Sequence, residues 1–286
     1  MPELPEVETV VRGIRPWLVG RRLVRLVQRR PDLRTALPAR FPERVEGRLV
    51  RAVERRAKYI LMRLDGRLDT GQGSGGDDYL IIHLGMSGRL VLGPRAATEA
   101  ALHEHVEFAT DEGTIVRFSD PRRFGLMDLV PVSHLETDPR FALLGPEPLS
   151  PDFTPEVLAK ALAGRETSIK AALLDQRIVA GIGNIYACEA LFRAGISPRR
   201  PAGKVQGERC VRLVAAIKDV LTRAIEAGGS SARDYVQASG EAGWFQNAWA
   251  VYDREGKPCP ECDCGRAVKR IVQGGRSTFY CAKRQR

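Results

Sequence analysis

The chain has 286 residues, enough for two domains, and 43% of them are hydrophobic, enough for real cores. Lys and Arg outnumber Asp and Glu by 45 to 35, a formal charge of +10, which favours a polyanionic partner, either nucleic acid or an acidic membrane surface. No run of about 18 apolar residues occurs, so no membrane span is expected, and the opening Met1-Pro2-Glu3-Leu4-Pro5-Glu6 has neither the basic segment nor the apolar stretch of a secretory signal. A cytoplasmic protein with reduced thiols is expected.

In chain order, Val7, Val10, Val11, Ile14 and Leu18 recur at offsets of three and four, which predicts a helix with Glu6 and Glu8 in its first turn and an end near Arg15, before Pro16. From Arg22 to Val132 the pattern turns to short β-rich runs at Leu23–Val27, Arg48–Leu64, Tyr79–Leu92, His105–Thr110 and Thr114–Phe118, with a tight turn at Asp111-Glu112-Gly113. Several short strands with one amphipathic helix predict a β-sandwich domain over 1–132. The Gly/Ser/Asp-rich stretch Asp69–Asp78 reads as a surface insertion. A proline-bearing linker over 133–150 follows. Helices are predicted at Pro155–Ala163, Ser168–Leu174, Asn184–Ala194 and Glu208–Ala227; in the last, Val214, Ile217, Leu221 and Ile225 mark the buried stripe and Gly228-Gly229 the stop. This gives a helical domain over 151–251 and a small tail over 252–286. The tail carries nine Lys and Arg against four Asp and Glu, a surplus of five. The fold class is therefore α+β multidomain.

Two features are candidates for chemistry, although without further signals the opening Met1-Pro2-Glu3 reads first as a solvent-exposed start. If Met1 is removed, as is usual when a small residue follows, Pro2 presents a secondary amine. Such an amine can attack a sugar C1′ and form an iminium ion without losing a second proton; the iminium then acidifies the C2′ hydrogen and permits elimination. Glu3 is the adjacent candidate for proton transfer. The second feature is the crowding of Cys259, Cys262, Cys264 and Cys281 near the C-terminus, which in a reducing compartment suggests a metal before disulfides. Cys188 and Cys210 sit singly in helical patterns and read as buried thiols.

Seven blocks spread along the chain resemble the bacterial formamidopyrimidine-DNA glycosylase (8-oxoguanine DNA glycosylase) family. The first is Met1-Pro2-Glu3-Leu4-Pro5-Glu6-Val7-Glu8-Thr9, where the related endonuclease VIII enzymes carry Gly in place of Leu4. It is followed by Arg55-Arg56-Ala57-Lys58-Tyr59, His83-Leu84-Gly85-Met86-Ser87-Gly88, Asp120-Pro121-Arg122-Arg123-Phe124-Gly125, Leu144-Gly145-Pro146-Glu147-Pro148-Leu149, Gly181-Ile182-Gly183-Asn184-Ile185-Tyr186 and Arg276-Ser277-Thr278-Phe279-Tyr280-Cys281.

The resemblance implies a base-excision glycosylase acting on oxidised purines in duplex DNA, with β,δ-elimination through a Schiff base on Pro2. Glu3 would be the proton donor, Lys58 the lysine of β-elimination and phosphate contact, and Arg276 the residue of δ-elimination. Met86, Arg122 and Phe124 match the side chains that fill the duplex after the damaged nucleotide is flipped out, where an apolar wedge offsets part of the unstacking cost. His103, Arg165, Lys170 and Asn184 match positions that touch DNA phosphates, Asn184 within a helix–two-turns–helix module. Trp244 and Phe245 fall in the segment resembling the lesion-capping loop. The implied partner is damaged double-stranded DNA, with no membrane involvement; a bacterial cytoplasmic monomer, nucleoid-associated when bound, is expected.

The tail resembles the family's zinc-finger β-hairpin, but Arg284 stands where the fourth cysteine belongs, and a guanidinium has no lone pair to donate. Three outcomes stay open: Zn2+ held by Cys259, Cys262, Cys264 and Cys281; Zn2+ held by Cys259, Cys264 and Cys281 with water or an outside ligand; or a hairpin that folds without metal. A protein that recognises lesions without cutting, and an enzyme preferring oxidised pyrimidines, are the competing functional readings; Leu4 leans against the second.

Overall fold

The computed structural model describes residues 1–66, 76–93, 101–231, 235–262 and 265–286. Most of the Asp69–Asp78 segment, and Cys264, lie outside the described residues. The chain divides into two compact units, one of Met1–Ala142 with Gly228–Trp244, the other of Leu143–Ala227 with Phe245–Arg286. Residues 228–244, which chain order alone groups with the helices, thus pack with the strands.

In the first unit α1 spans Leu4–Leu18. Its apolar stripe (Leu4, Val7, Val10, Val11, Ile14, Leu18) is buried throughout, each such side chain contributing roughly 1.5–3 kcal/mol. The helix runs one turn past the predicted end. Pro16 sits in that last turn, where its missing N–H forfeits a single bond. Fully buried Leu18 and the Val19 N–H bonded to the Arg15 carbonyl (3.0 Å) hold the turn in place. Next come β1 (Leu23–Gln28), α2 (Phe41–Val45), β2 (Val50–Arg56), β3 (Tyr59–Leu64), β4 (Asp78–His83), β5 (Arg89–Gly93), β6 (Glu104–Thr110), β7 (Ile115–Ser119) and β8 (Leu126–Pro131).

The strands form two antiparallel four-stranded sheets, ordered β1-β6-β7-β5 and β2-β3-β4-β8. One apolar core takes residues from both sheets and from α1, as in a sandwich. The single run predicted at Arg48–Leu64 is broken by a two-residue turn, because Arg56 pairs with Tyr59 and leaves Ala57-Lys58 as the loop. Ala57 takes φ +53°, the left-handed value that short hairpin loops demand. The run predicted at Tyr79–Leu92 is likewise split into β4 and β5 around Gly85-Met86-Ser87. Both interruptions fall in blocks that resemble the family's functional motifs.

The second unit holds α3 (Pro155–Leu162), α4 (Ile169–Leu174), α5 (Asn184–Arg193), α6 (Glu208–Glu226) and the hairpin β9 (Lys269–Gln273)–β10 (Arg276–Tyr280). Thr154 and Ser168 cap α3 and α4, each side-chain oxygen accepting a backbone N–H at 3.3 Å. The stripe of α6 lies in the core as its periodicity predicts. Gly274-Gly275, both at positive φ, form the two-residue hairpin loop that places Arg276 at the exposed start of β10. Among the described residues no helix is long and apolar enough to cross a membrane.

Candidate active site and nucleic-acid-binding residues

The N-terminal segment is fixed before any substrate arrives. Pro2 is buried and Glu3, the N-cap residue of α1, is only 4% exposed. The Glu6 carboxylate, itself buried, accepts the Glu3 backbone N–H with one oxygen (2.8 Å) and the Ser230 N–H with the other (2.8 Å). One side chain therefore holds the Pro2-Glu3 backbone and the start of the 228–244 segment together. That segment is pinned elsewhere too: the Tyr235 hydroxyl donates to the Gly228 carbonyl (3.2 Å) and the Leu92 N–H to the Ala238 carbonyl (2.8 Å). Burial, with the Glu6 charge nearby, pushes the Tyr235 hydroxyl well above the usual phenol range, so it stays a neutral donor. The Glu3-x-x-Glu6 spacing is a capping signal legible in sequence, although the dipole argument alone accounts for Glu6 only as an acid in a first turn.

Lys58 occupies the β2–β3 turn and is 7% exposed. Arg55 ties this turn to α1, its Nε donating to Glu8 (2.9 Å) and its Nη1 to the Ala57 carbonyl (3.0 Å). Burial pushes the Glu8 carboxyl up, but hydrogen bonds from Arg12 and Arg55 outweigh it and hold the group below its ordinary value. His83, paired with Tyr59 across β3–β4, carries no sequence signal of its own. Its Nδ1 accepts the Gly85 N–H (3.0 Å), which puts the ring proton on Nε2, and the Tyr59 ring lies 4.8 Å away. Burial, reinforced by the charges of Lys58 and Arg34, pushes the imidazole down to about 4. A neutral imidazole beside Lys58 adds no positive charge that would compete with the ammonium.

Met86, Arg122 and Phe124 come together on two adjoining loops. Gly85, at φ +62°, lies so close to the Phe124 backbone that a Cβ would collide with it. Met86 and Phe124 are 38% and 43% exposed, and the Arg122 guanidinium lies 4.6 Å from the Phe124 ring centroid. Fully buried Asp120 organises both loops: it accepts the Ser87 hydroxyl (2.5 Å) and the Gly125 N–H (2.7 Å), and its carbonyl meets His105 Nε2 (2.9 Å). Asp120 belongs to one of the seven blocks, but sequence alone gives it no role. His103 is exposed at φ +65°, just before β6.

In the second unit Arg165 is exposed and Lys170 is fully buried. Asn184 opens α5 and its Nδ2 donates to the Ser277 carbonyl (2.9 Å), beside exposed Arg276. Glu189, also on α5, accepts the N–H groups of Ala250, Val251 and Tyr252 at 2.8–2.9 Å. Trp244 is exposed, but Phe245 is buried against Tyr186 and belongs to a core. Cys188 and Cys210 are buried, and burial pushes the Cys210 thiol up to about 11.

Cys259, Cys262 and Cys281 bring three Sγ atoms within 4.8 Å of one another, with Cys262 and Cys281 3.6 Å apart. Thiolates on a tetrahedral Zn2+ with bonds of about 2.3 Å stand about 3.7 Å apart, so these three fit. Burial raises the Cys281 thiol, but the backbone N–H groups of Arg284 and Lys283 and the neighbouring thiols outweigh it and bring it to about 7. Arg284 turns its guanidinium to Glu261 and offers no fourth thiol.

These elements place the chain among α+β proteins with a strand-rich N-terminal unit, a helical unit and a cysteine-bearing hairpin. Residues 1–127 match the model of the formamidopyrimidine-DNA glycosylase N-terminal domain, and residues 144–236 that of the formamidopyrimidine-DNA glycosylase H2TH domain. Relatives named formamidopyrimidine-DNA glycosylase in Rhodospirillum centenum and Rhodospirillum rubrum are 54% and 53% identical, with all of each chain covered. The crystal structure of the MutM (Fpg) protein of Thermus thermophilus is 41% identical, with a TM-score of 0.83, and the comparison covers 99% of this chain and 98% of that one. The Lactococcus lactis Fpg in complex with N7-benzyl-Fapy-dG-containing DNA is 30% identical, with a TM-score of 0.85 and 99% of both chains covered. The chain belongs to the formamidopyrimidine-DNA glycosylase family.

Two outcomes follow from this geometry. With a folded-state value near 4 against 6.5 for the free imidazole, His83 leaves the unfolded chain binding more protons between those values. Its contribution is complete above pH 6.5 and is lost as pH falls toward 4. Denaturant unfolding of His83→Asn at pH 7 and pH 5 should show a smaller acid loss than the parent; an equal loss would contradict the assignment. Asp120→Ala strands buried donors at about 1–3 kcal/mol each, so it should lower stability measurably and loosen Phe124, read by fluorescence after Phe124→Trp in both backgrounds. Unchanged emission and melting would refute the organising role.

Proposed function

We propose that this chain is a DNA-repair glycosylase that removes oxidised purines from duplex DNA and cleaves the resulting abasic site, with the Pro2 amine, freed by removal of Met1, as nucleophile. Attack of that amine on C1′ displaces the base, and opening of the C1′–O4′ bond, with a proton delivered to the ring oxygen, then gives the iminium. Glu3 transfers a proton to the ribose ring oxygen or the departing base, and the Lys58 ammonium pairs with a phosphate and assists the β-elimination as a point charge and proton donor. Arg276 contacts phosphate and serves the second elimination. Met86 and Phe124 fill the stack vacated by the flipped nucleotide, and Arg122 donates to the unpaired partner base, whose O2 and N3 accept if it is cytosine. His103, Arg165, Lys170 and Asn184 hold phosphates. The observation that carries the reading is the Pro2-Glu3 backbone, held by a buried carboxylate at the head of α1.

Cys259, Cys262 and Cys281 are the residues that would hold a Zn2+, with a fourth donor supplied by Cys264 or water. Bound there, the ion would be structural. The domain limits we propose are 1–132 for the strand-rich domain, 151–251 for the helical domain less its 228–244 excursion, and 252–286 for the hairpin. A monomer acting in the bacterial cytoplasm fits this reading.

Borohydride reduction during incubation with an abasic-site duplex should trap a covalent adduct of protein lacking Met1, and Pro2→Gly should reduce it sharply. Undiminished trapping in a Pro2 deletion would refute the nucleophile. Tight binding of the duplex without any incision by the parent protein would reduce the function to damage recognition.

A further inference from the structure

The position of the missing fourth thiol is filled by an interaction of another kind. Arg284 Nη2 pairs with Glu261 Oε2 at 2.7 Å, and Arg193 Nη1, from the end of α5, pairs with Glu261 Oε1 at 2.6 Å. Glu261 lies between Cys259 and Cys262 in the chain and so joins the cysteine knuckle to the helix. The Arg284 guanidinium also rests 4.9 Å from the Phe192 ring centroid, and its Nε donates to the Phe192 carbonyl (3.3 Å). Arg284 thus spans the knuckle and α5, which a lysine, with a point charge and no planar fork, could not do equally. All three charged side chains are 27–30% exposed, so solvent screens them only in part.

We propose that the Arg193–Glu261–Arg284 chain takes over the holding task of the fourth metal ligand, so that the C-terminal hairpin stays seated on α5 when no metal is bound. Two further anchors are equally independent of metal. Cys188 and Phe192 of α5 share an apolar cluster with Val251, Val268, Phe279 and Cys281. Gln285, next to Arg284, accepts the Cys281 N–H (2.9 Å) and donates to the Ile196 carbonyl (3.0 Å). The seating of the hairpin does not depend on which lesion is excised.

The test uses the full-length protein before and after treatment with a chelator, with zinc content assayed. The readouts are the rate of proteolysis within residues 252–286 and the affinity for a duplex carrying an abasic-site analogue. Chelation of the parent protein should change both by less than about threefold, while chelated Glu261→Gln should be cleaved at least about tenfold faster, as loss of a partly buried pairing partner implies. Arg193→Gln, which leaves the Arg284–Glu261 pair intact, should fall between them and guards against misfolding of the first variant. Arg284→Cys should hold zinc against the chelator, and its hairpin should become protease-sensitive only once zinc is stripped by denaturing chelation and refolding. A parent protein that loses protection or DNA affinity tenfold or more on chelation would overturn the proposal, as would chelated Glu261→Gln behaving like the chelated parent.

Discussion

The site depends on one buried carboxylate with two backbone N–H donors. Glu6 is 2% exposed, and its oxygens take the Glu3 and Ser230 N–H groups at equal distance. A buried carboxylate is costly to desolvate, and one accepting hydrogen bonds on both oxygens is tolerated because the donors offset that cost. The geometry that results is restrictive. The residues intended for attack and proton transfer cannot shift without disturbing the segment that returns at 228–244. Nor can that segment open at its base without releasing the N-terminal backbone. Arg55 adds the third member, linking Lys58's turn to α1 through Glu8.

The loops bearing Met86, Arg122 and Phe124 are built on the same logic, with Asp120 in place of Glu6. In each case an enclosed acid gathers donors from two segments; around Asp120, Met86 and Phe124 stay exposed, whereas beside Glu6 both Pro2 and Glu3 are buried. In the second unit, Glu189 repeats the device, gathering three successive N–H groups ahead of the hairpin.

Much of this was legible in the sequence because it is local. The apolar stripes of α1 and α6, the caps of α3 and α4 and the turn at Asp111–Gly113 follow from spacing and residue type. The break at Ala57-Lys58 is hidden in a continuous β-rich run and shows only in the pairing across the sheet, whereas Gly85 and Gly88 flanking Met86 already signal the turn at Gly85–Ser87. The candidate chemistry was found by block resemblance, but its supports were not. Glu6, Asp120 and Glu189 each take at least one partner far along the chain, up to 224 residues for Glu6 and Ser230, and no spacing rule reaches so far. The burial of Lys170 is likewise invisible in sequence, where a lysine reads as exposed. The substitution at Arg284 was visible in sequence, whereas its partner Glu261 needed the fold.

The most direct measurement of the central claim is the single-turnover rate of excision of 8-oxoguanine by Glu6→Ala, compared with the parent, together with the affinity of each for the same duplex. Losing the carboxylate should cost the chemical step about 100-fold, the scale of an ångström's misplacement of reacting groups, while affinity changes little, because the phosphate and wedge residues are untouched. An excision rate equal to that of the parent would show that the N-terminal segment keeps its place without Glu6, and the account would fail.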